Sequence, residues 1–248
     1  MIARSKVLTA IALAFFTCAC SNVRAGENWI DLFNGKDLSG WTQKTGTAKY
    51  FVEDGCIVGE TVVPGKSTNS FLCTTESYDN FDLELDFKVD PRMNSGVQFR
   101  SEYASEPRKV EWQGKTINVL QGYVFGYQAE IDPDVPRKRM WTAGIYDERR
   151  RSWMFPSDGE KGEQGKAFSA QGIKIFKAND WNHLRIVAAG DHIRTYLNDV
   201  PCASIEDSMT TNGFIGLQVH ASNDASHSGA QVRFKNIRLK KNPAAPSN

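Results

Sequence analysis

Residues 81–89 read FDLELDFKV, and this stretch decides the fold class. Phe81, Leu83, Leu85, Phe87 and Val89 fall on every second position, with Asp82, Glu84, Asp86 and Lys88 between them. Side chains of an extended chain alternate between two faces, so this is a strand with one face in a core and one in water. Further along, Leu184–Ala188 and Ile193–Leu197 flank Gly190-Asp191 and read as a hairpin, and Asn198-Asp199 signals the next turn. Phe214–His220 and Val232–Leu239 read as two more strands. No segment shows helical periodicity over ten residues. Many short strands punctuated by Gly, Asn, Asp and Pro predict an all-β protein, a jelly-roll sandwich of two antiparallel sheets.

The chain has 248 residues, 40% hydrophobic and 24% charged, enough to bury a substantial core without disulfides. Its first residues stand apart. Arg4 and Lys6 precede an apolar run from Val7 to Phe16, too short to span a bilayer and followed by small residues, as in a secretory signal. Two processing routes are open: a cut after Ala25 at Val23-Arg24-Ala25, or a lipoprotein site at Ala19-Cys20-Ser21 with Cys20 acylated. Either route places the protein in the periplasm or outside the cell, and it meets a membrane only if Cys20 is lipidated. The expected organisation is a signal at 1–25, one domain over 26–241 and a disordered tail at 242–248 (PAAPS within it).

Of 30 basic and 29 acidic residues, three basic ones (Arg4, Lys6, Arg24) lie in the signal, leaving 27 against 29. That balance argues against a nucleic-acid or polyanion partner. Cys56, Cys73 and Cys202 follow the signal. Cys56 and Cys73 sit in consecutive strand-like runs; they either pair across a hairpin or, with Cys202, are small buried side chains. They show no zinc-ligand spacing, no metal site has a clear ligand set, and a calcium ion held by loop carboxylates stays compatible with the sequence. Two stretches break the short-turn rhythm. Ser101–Asn118 and Asp147–Phe168 are loops long enough to roof a binding site, and two of the three arginines Arg149-Arg150-Arg151 read as solvated.

Alternation also sorts the polar residues. Gln128, Glu130 and Asp132 share one face, Gln98 and Arg100 share another, and so do Gln218 and His220, each opposite apolar neighbours. These side chains supply paired donors, acceptors and a group that titrates near neutrality. Tyr123, Phe125, Tyr127, Trp141, Tyr146 and Trp153 lie near them in sequence, and rings beside polar edges suit a sugar. Taken singly, Arg100 is equally a surface charge, His220 a structural histidine, and Glu130 with Asp132 an exposed acidic strand. His183 and His192 read as surface residues without partners, and His227 as a surface residue, with lining the site as the lesser alternative.

Seven segments, in order, resemble the 3-keto-disaccharide hydrolase family: DLFNGKDLSGW (31–41), NSGVQFR (94–100), GYQAEID (126–132), GIYDE (144–148), Trp181-Asn182, GFIGLQVH (213–220) and VRFKNIRL (232–239). The resemblance implies a concanavalin A-like jelly roll. It further implies cleavage of glycosides whose C3 hydroxyl a separate sugar oxidoreductase has made a ketone, by β-elimination and hydration. Such chemistry needs a base, an acid for the leaving oxygen and donors for the enolate. The expected roles are Glu130 as base and His220 as its acid or base partner. Arg100 would hold the 3-keto oxygen, Gln128, Asp132 and Gln218 the hydroxyls, and Tyr146 and Trp141 the ring; no cofactor is required. Two other classes compete. A non-catalytic sugar-binding module would need no acid–base pair. A glucanase would want Glu-x-Asp-x-Glu where this chain has Gln128, Glu130 and Asp132.

Overall fold

The computed structural model describes residues 29–63, 68–134, 137 and 139–243. The expected signal segment with Cys20, and 244–248 of the tail, lie outside the described residues. Two antiparallel sheets pack face to face, as the strand pattern predicts. The first runs Val200–Glu206, His192–Leu197, Asn182–Ala189, Phe81–Val89, Gln231–Lys241, Cys56–Glu60, Lys49–Glu53, and Trp29–Asp31 also pairs with Gln231–Lys241. The five apolar residues of Phe81–Val89 are all buried. Full burial of each contributes roughly 1.5–3 kcal/mol. Their outward neighbours are paired instead: Asp82 with Arg185, Glu84 with Arg238, Asp86 with His183.

The second sheet runs Ser152–Phe155, Ile145–Glu148, Val124–Ile131, Ser95–Tyr103, Phe214–Val219, Ser70–Thr74, Trp41–Thr45. Val97, Phe99, Tyr127, Ala129, Ile131 and Leu217 turn inward to the shared core. Their neighbours on the other face include Gln98, Gln128 and Glu130, and that outer face carries the site. Asn198 and Asp199 both take positive φ (50° and 67°), the conformation a two-residue hairpin turn requires.

Several expectations change. Glu163–Ile175 is a thirteen-residue α-helix where the sequence suggested none. Its buried residues are Gly165, Phe168, Ser169 and Gly172. The helical spacing is there, but two glycines and a serine carry it instead of large apolar groups. Small residues are needed because a Cβ on Gly172 would lie 2.5 Å from Met140 Cγ. The 101–118 stretch is not one loop, since Arg108–Trp112 pairs with Lys115–Val119 as a hairpin. Cys56 and Cys73 are buried free thiols in strands of opposite sheets, so they cannot face each other across a hairpin. Arg150 is almost wholly buried on Asp147, and Arg151 is tied to Asp147 and Asp207, which leaves Arg149 as the more exposed of the three. His183 and His192 are not partnerless. His183 Nδ1 lies 2.9 Å from Asp86 Oδ1, and His192 lies 3.5 and 3.6 Å from Asp191 and Glu206.

Candidate active site

A cleft of about 790 Å³ opens on the outer face of the second sheet. Strand register assembles it: Gln128 lies opposite Tyr146 on one side and Gln98 on the other, and Glu130 lies opposite Gly96. Gly96 is needed there, because a Cβ would come within 2.6 Å of Gln128 Cδ and Nε2. The missing side chain lets Gln128 fold toward Glu130.

Glu130 is 4% exposed and sits in a directed set of amides. Asn94 Nδ2 donates to its Oε1 at 2.7 Å and Gln128 Nε2 to its Oε2 at 2.6 Å. Gln128 Oε1 then accepts from Gln98 Nε2 at 2.8 Å and Gln218 Nε2 at 3.0 Å, and Gln98 Oε1 accepts from Ser101 Oγ. An acceptor-only carboxylate turns the N–H groups of Asn94 and Gln128 toward itself, and Gln128 Oε1 then turns those of Gln98 and Gln218 toward it. Burial pushes the Glu130 carboxyl up to about 8, helped by the charge of Asp132 and opposed by the two amide donors. A group so placed exchanges its proton near neutrality, which is useful in acid–base chemistry.

Asp132 is also raised by burial, against the pull of Arg139, whose Nη2 lies 2.5 Å from its Oδ2. Glu148, buried at the other end of the cleft, is raised by desolvation and held 3.2 Å from Arg149 Nε. Tyr146 is raised above the usual phenol range by burial, so it keeps its proton as a donor. His220 stands exposed at the rim. Its Nδ1 lies 2.8 Å from the Ala221 carbonyl, which can only accept, so Nδ1 carries the hydrogen and Nε2 is left free.

Glu130, His220, Gln128, Asp132, Tyr146 and Gln218 therefore line one cleft. Arg100 does not. A bulge places Phe99 and Arg100 together against Ile215, and Arg100 adopts a positive φ of 44°. The bulge breaks the alternation with Gln98 and sends the guanidinium to the edge of the sandwich. There it is fully buried and donates to the carbonyls of Asp79 and Gly190 and to Asn80 Oδ1. It cannot hold a keto oxygen. Trp141 is buried behind the cleft, its ring 4.2 Å edge-on to Trp153, and Trp153 is the tryptophan at the surface of the cavity. Trp153 was among the rings expected to suit a sugar, whereas Asn94, Glu148 and Arg139 join the site without having been singled out for it. Glu148 was accessible to strand alternation from Tyr146. Asn94 lies just before its strand, where alternation says nothing. Among the described residues no group of three or more His, Cys, Asp or Glu is arranged to hold a metal ion.

A known family, the 3-keto-alpha-glucoside-1,2-lyase-like domain, matches residues 28–240. No curated protein matches the chain. Among solved structures, a candidate glycosyl hydrolase of Parabacteroides distasonis is similar at 20% identity and a TM-score of 0.53, over 87% of this chain and 94% of that one. A Bacillus subtilis protein with a galectin-like fold is similar at 10% identity and 0.52, over 82% and 90%. The kappa-carrageenase of Pseudoalteromonas carrageenovora is similar at 10% and 0.50, over 89% and 97%. At these identities the likeness is one of fold.

Proposed function

This chain belongs to the 3-keto-alpha-glucoside-1,2-lyase-like domain family, and from that premise we propose that it cleaves the glycosidic bond of 3-keto-glycosides by elimination. The observation that carries the reading is a buried carboxyl, Glu130, raised to about 8 on the floor of a polar cleft that also holds His220 and Tyr146. A ketone at C3 acidifies the C2–H bond. Glu130 in its ionised form takes that proton, and a base with an elevated pKa is a stronger one than an ordinary carboxylate. The C2–H electron pair moves toward C1, and the C1–O bond breaks with its own pair leaving on oxygen. His220, protonated at the free Nε2, gives the leaving oxygen its proton. Tyr146 donates to the C3 oxygen as enolate charge develops. The unsaturated ketone that remains then adds water at C1, which gives the free 3-keto sugar.

Gln128, Gln218 and Asp132 are assigned to sugar hydroxyls, and Trp153 supplies the apolar face for the ring. The reading requires no metal or organic cofactor. We propose further that it acts outside the cytoplasm, as the signal-like segment 1–25 predicts, downstream of an oxidoreductase that makes the ketone. The test is turnover of 3-keto-glucosides by the wild type, Glu130→Gln and His220→Ala. Near-wild-type rates for both folded variants would remove the assignment, and tight binding of the sugar by wild type without turnover would leave a sugar-binding module.

A further inference from the structure

The groups of the elimination fall in a fixed order along the sheet, and one carboxylate at the end of that order has no part in it. Tyr146 lies opposite Gln128 and Glu148 opposite Gly126. Residues two apart share a face, so Glu130, Tyr146 and Glu148 succeed one another at steps of about 6.6–6.8 Å along the strands. His220 lies at the other end. Gln98 is opposite both Gly216 and Gln128, and Phe214–Val219 runs parallel to Val124–Ile131 through the strand between them. Four residues beyond Gly216, His220 therefore falls past Glu130, on the side of Asp132. The order is His220, Glu130, Tyr146, Glu148. A pyranose set along it presents C1 with its leaving oxygen to His220, C2 to Glu130 and the C3 oxygen to Tyr146. C4 comes next and faces Glu148.

Glu148 has the surroundings of an acceptor kept for a ligand. It lines the cleft and is 7% exposed, yet among the described residues no hydrogen bond reaches its carboxylate. Its ion partner is Arg149, whose Nε lies 3.2 Å from Oε1. Arg149 is in turn fixed over the Tyr123 ring, 4.2 Å from its centroid. A carboxylate stripped of water and left with one charged partner keeps lone pairs to spare, and a hydroxyl donor restores what burial removed. The position opposite it, Gly126, carries no side chain to shield it, and a Cβ there would lie 2.4 Å from Ser101 Oγ. Tyr146 stands within electrostatic reach of both carboxylates. After burial, the charges of Glu148 and Glu130 raise its phenol.

We infer that Glu148 determines specificity at C4: its carboxylate accepts the C4 hydroxyl of the oxidised ring, so that hydroxyl must be present and free. The inference rests on the elimination reading above, which sets the direction of the ring. The test is a cycle of two proteins and two substrates. kcat/KM is measured for wild type and Glu148→Ala on 4-nitrophenyl 3-keto-glucoside and on its 4-deoxy analogue. The two substrates differ in intrinsic reactivity, and Glu148→Ala also takes a charge away from Glu130. Both effects cancel in the cycle, because each substrate meets both proteins. Wild type should lose about thirtyfold or more when the C4 hydroxyl is removed, as expected for a hydrogen bond to a buried charge. Glu148→Ala should lose as much on the parent substrate, and stay within about threefold of wild type on the 4-deoxy one. That second rate also shows that the variant is folded. Glu148→Gln, which keeps an acceptor oxygen, should recover part of the preference. Equal losses by Glu148→Ala on both substrates, or no loss on the parent, would overturn the inference and leave the elimination reading standing. Turnover of neither substrate by wild type would overturn that reading, and this inference with it.

Discussion

Gln128 Nε2 donates to Glu130 Oε2 across 2.6 Å, between two side chains that leave the same strand on the same face. Residues two apart on a strand point the same way, so a long amide can fold along the strand onto a buried carboxyl. That contact with Asn94 gives Glu130 two donors and still leaves its pKa raised, because burial outweighs both.

The first prediction follows from the sign of that shift. In the folded chain Glu130 holds its proton up to about pH 8, against an ordinary value of 4.5. Between those values the folded state binds more protons than the unfolded one at this site, so its contribution is fully present below 4.5 and is lost as pH rises through 8. The loss is on the order of 4–5 kcal/mol at high pH. Glu130→Gln should therefore melt higher than wild type at pH 9 and no higher at pH 4. Its kcat should fall by about 10²-fold or more. The amide can be accommodated by rotation of Asn94, whose Oδ1 has no partner. Parallel melting-temperature profiles for the two proteins would contradict the raised pKa.

Gly96→Ala should disable the site through packing alone. The new methyl would sit 2.6 Å from the Gln128 amide, which has to leave its bond to Glu130. We expect a loss of about 1–3 kcal/mol in stability and at least tenfold in kcat/KM. Adding Gln128→Ala removes the collision but also the donor to Glu130 and the acceptor of Gln98 and Gln218, so the double variant should not regain activity. A single variant with wild-type rate would show that the Gln128–Glu130 contact is dispensable.

The pH–rate profile tests the role of Glu130 as a base. On a substrate whose leaving group departs without a proton, such as 4-nitrophenyl 3-keto-glucoside, kcat/KM should climb as pH rises toward about 8, while the carboxyl gives up its proton. Asp132 is the largest charge holding that value up. In Asp132→Asn the ascending limb should move to lower pH, since the negative neighbour is gone. A limb that stays in place would assign the titration to another group.

Strand alternation made the sandwich legible, and it brought Gln128, Glu130, Tyr146 and Gln218 to one cleft because each lies in regular pairing. It failed where the backbone departs from a two-residue repeat. Arg100 follows Gln98 by two positions, yet the bulge against Ile215 turns it to the sandwich edge. The helix at Glu163–Ile175 was hidden because close approach to Met140 demands glycine where a helix ordinarily shows leucine. The run Arg149-Arg150-Arg151 did not show which arginines are solvated, because Arg150 and Arg151 are held partly by Thr210 and Asp207, which are distant in sequence.

Arg100 supplies the last prediction, and it separates folding from binding. The side chain is fully buried and donates to two carbonyls and to Asn80 Oδ1, which also accepts from the Gly190 backbone at 2.7 Å. It thus ties the 79–80 loop to the hairpin turn at Gly190. Arg100→Met keeps much of the apolar stem and removes three hydrogen bonds made by a charged donor, at a cost of about 2–4 kcal/mol. The expected variant melts well below wild type but, at temperatures where it is folded, binds and turns over 3-keto-glycosides with unchanged KM and kcat. Lys at this position restores charge but not the branching that reaches three acceptors at once, so Arg100→Lys should recover only part of the stability. A variant with wild-type melting temperature and a raised KM would return Arg100 to the substrate and contradict the placement of its guanidinium at the sandwich edge.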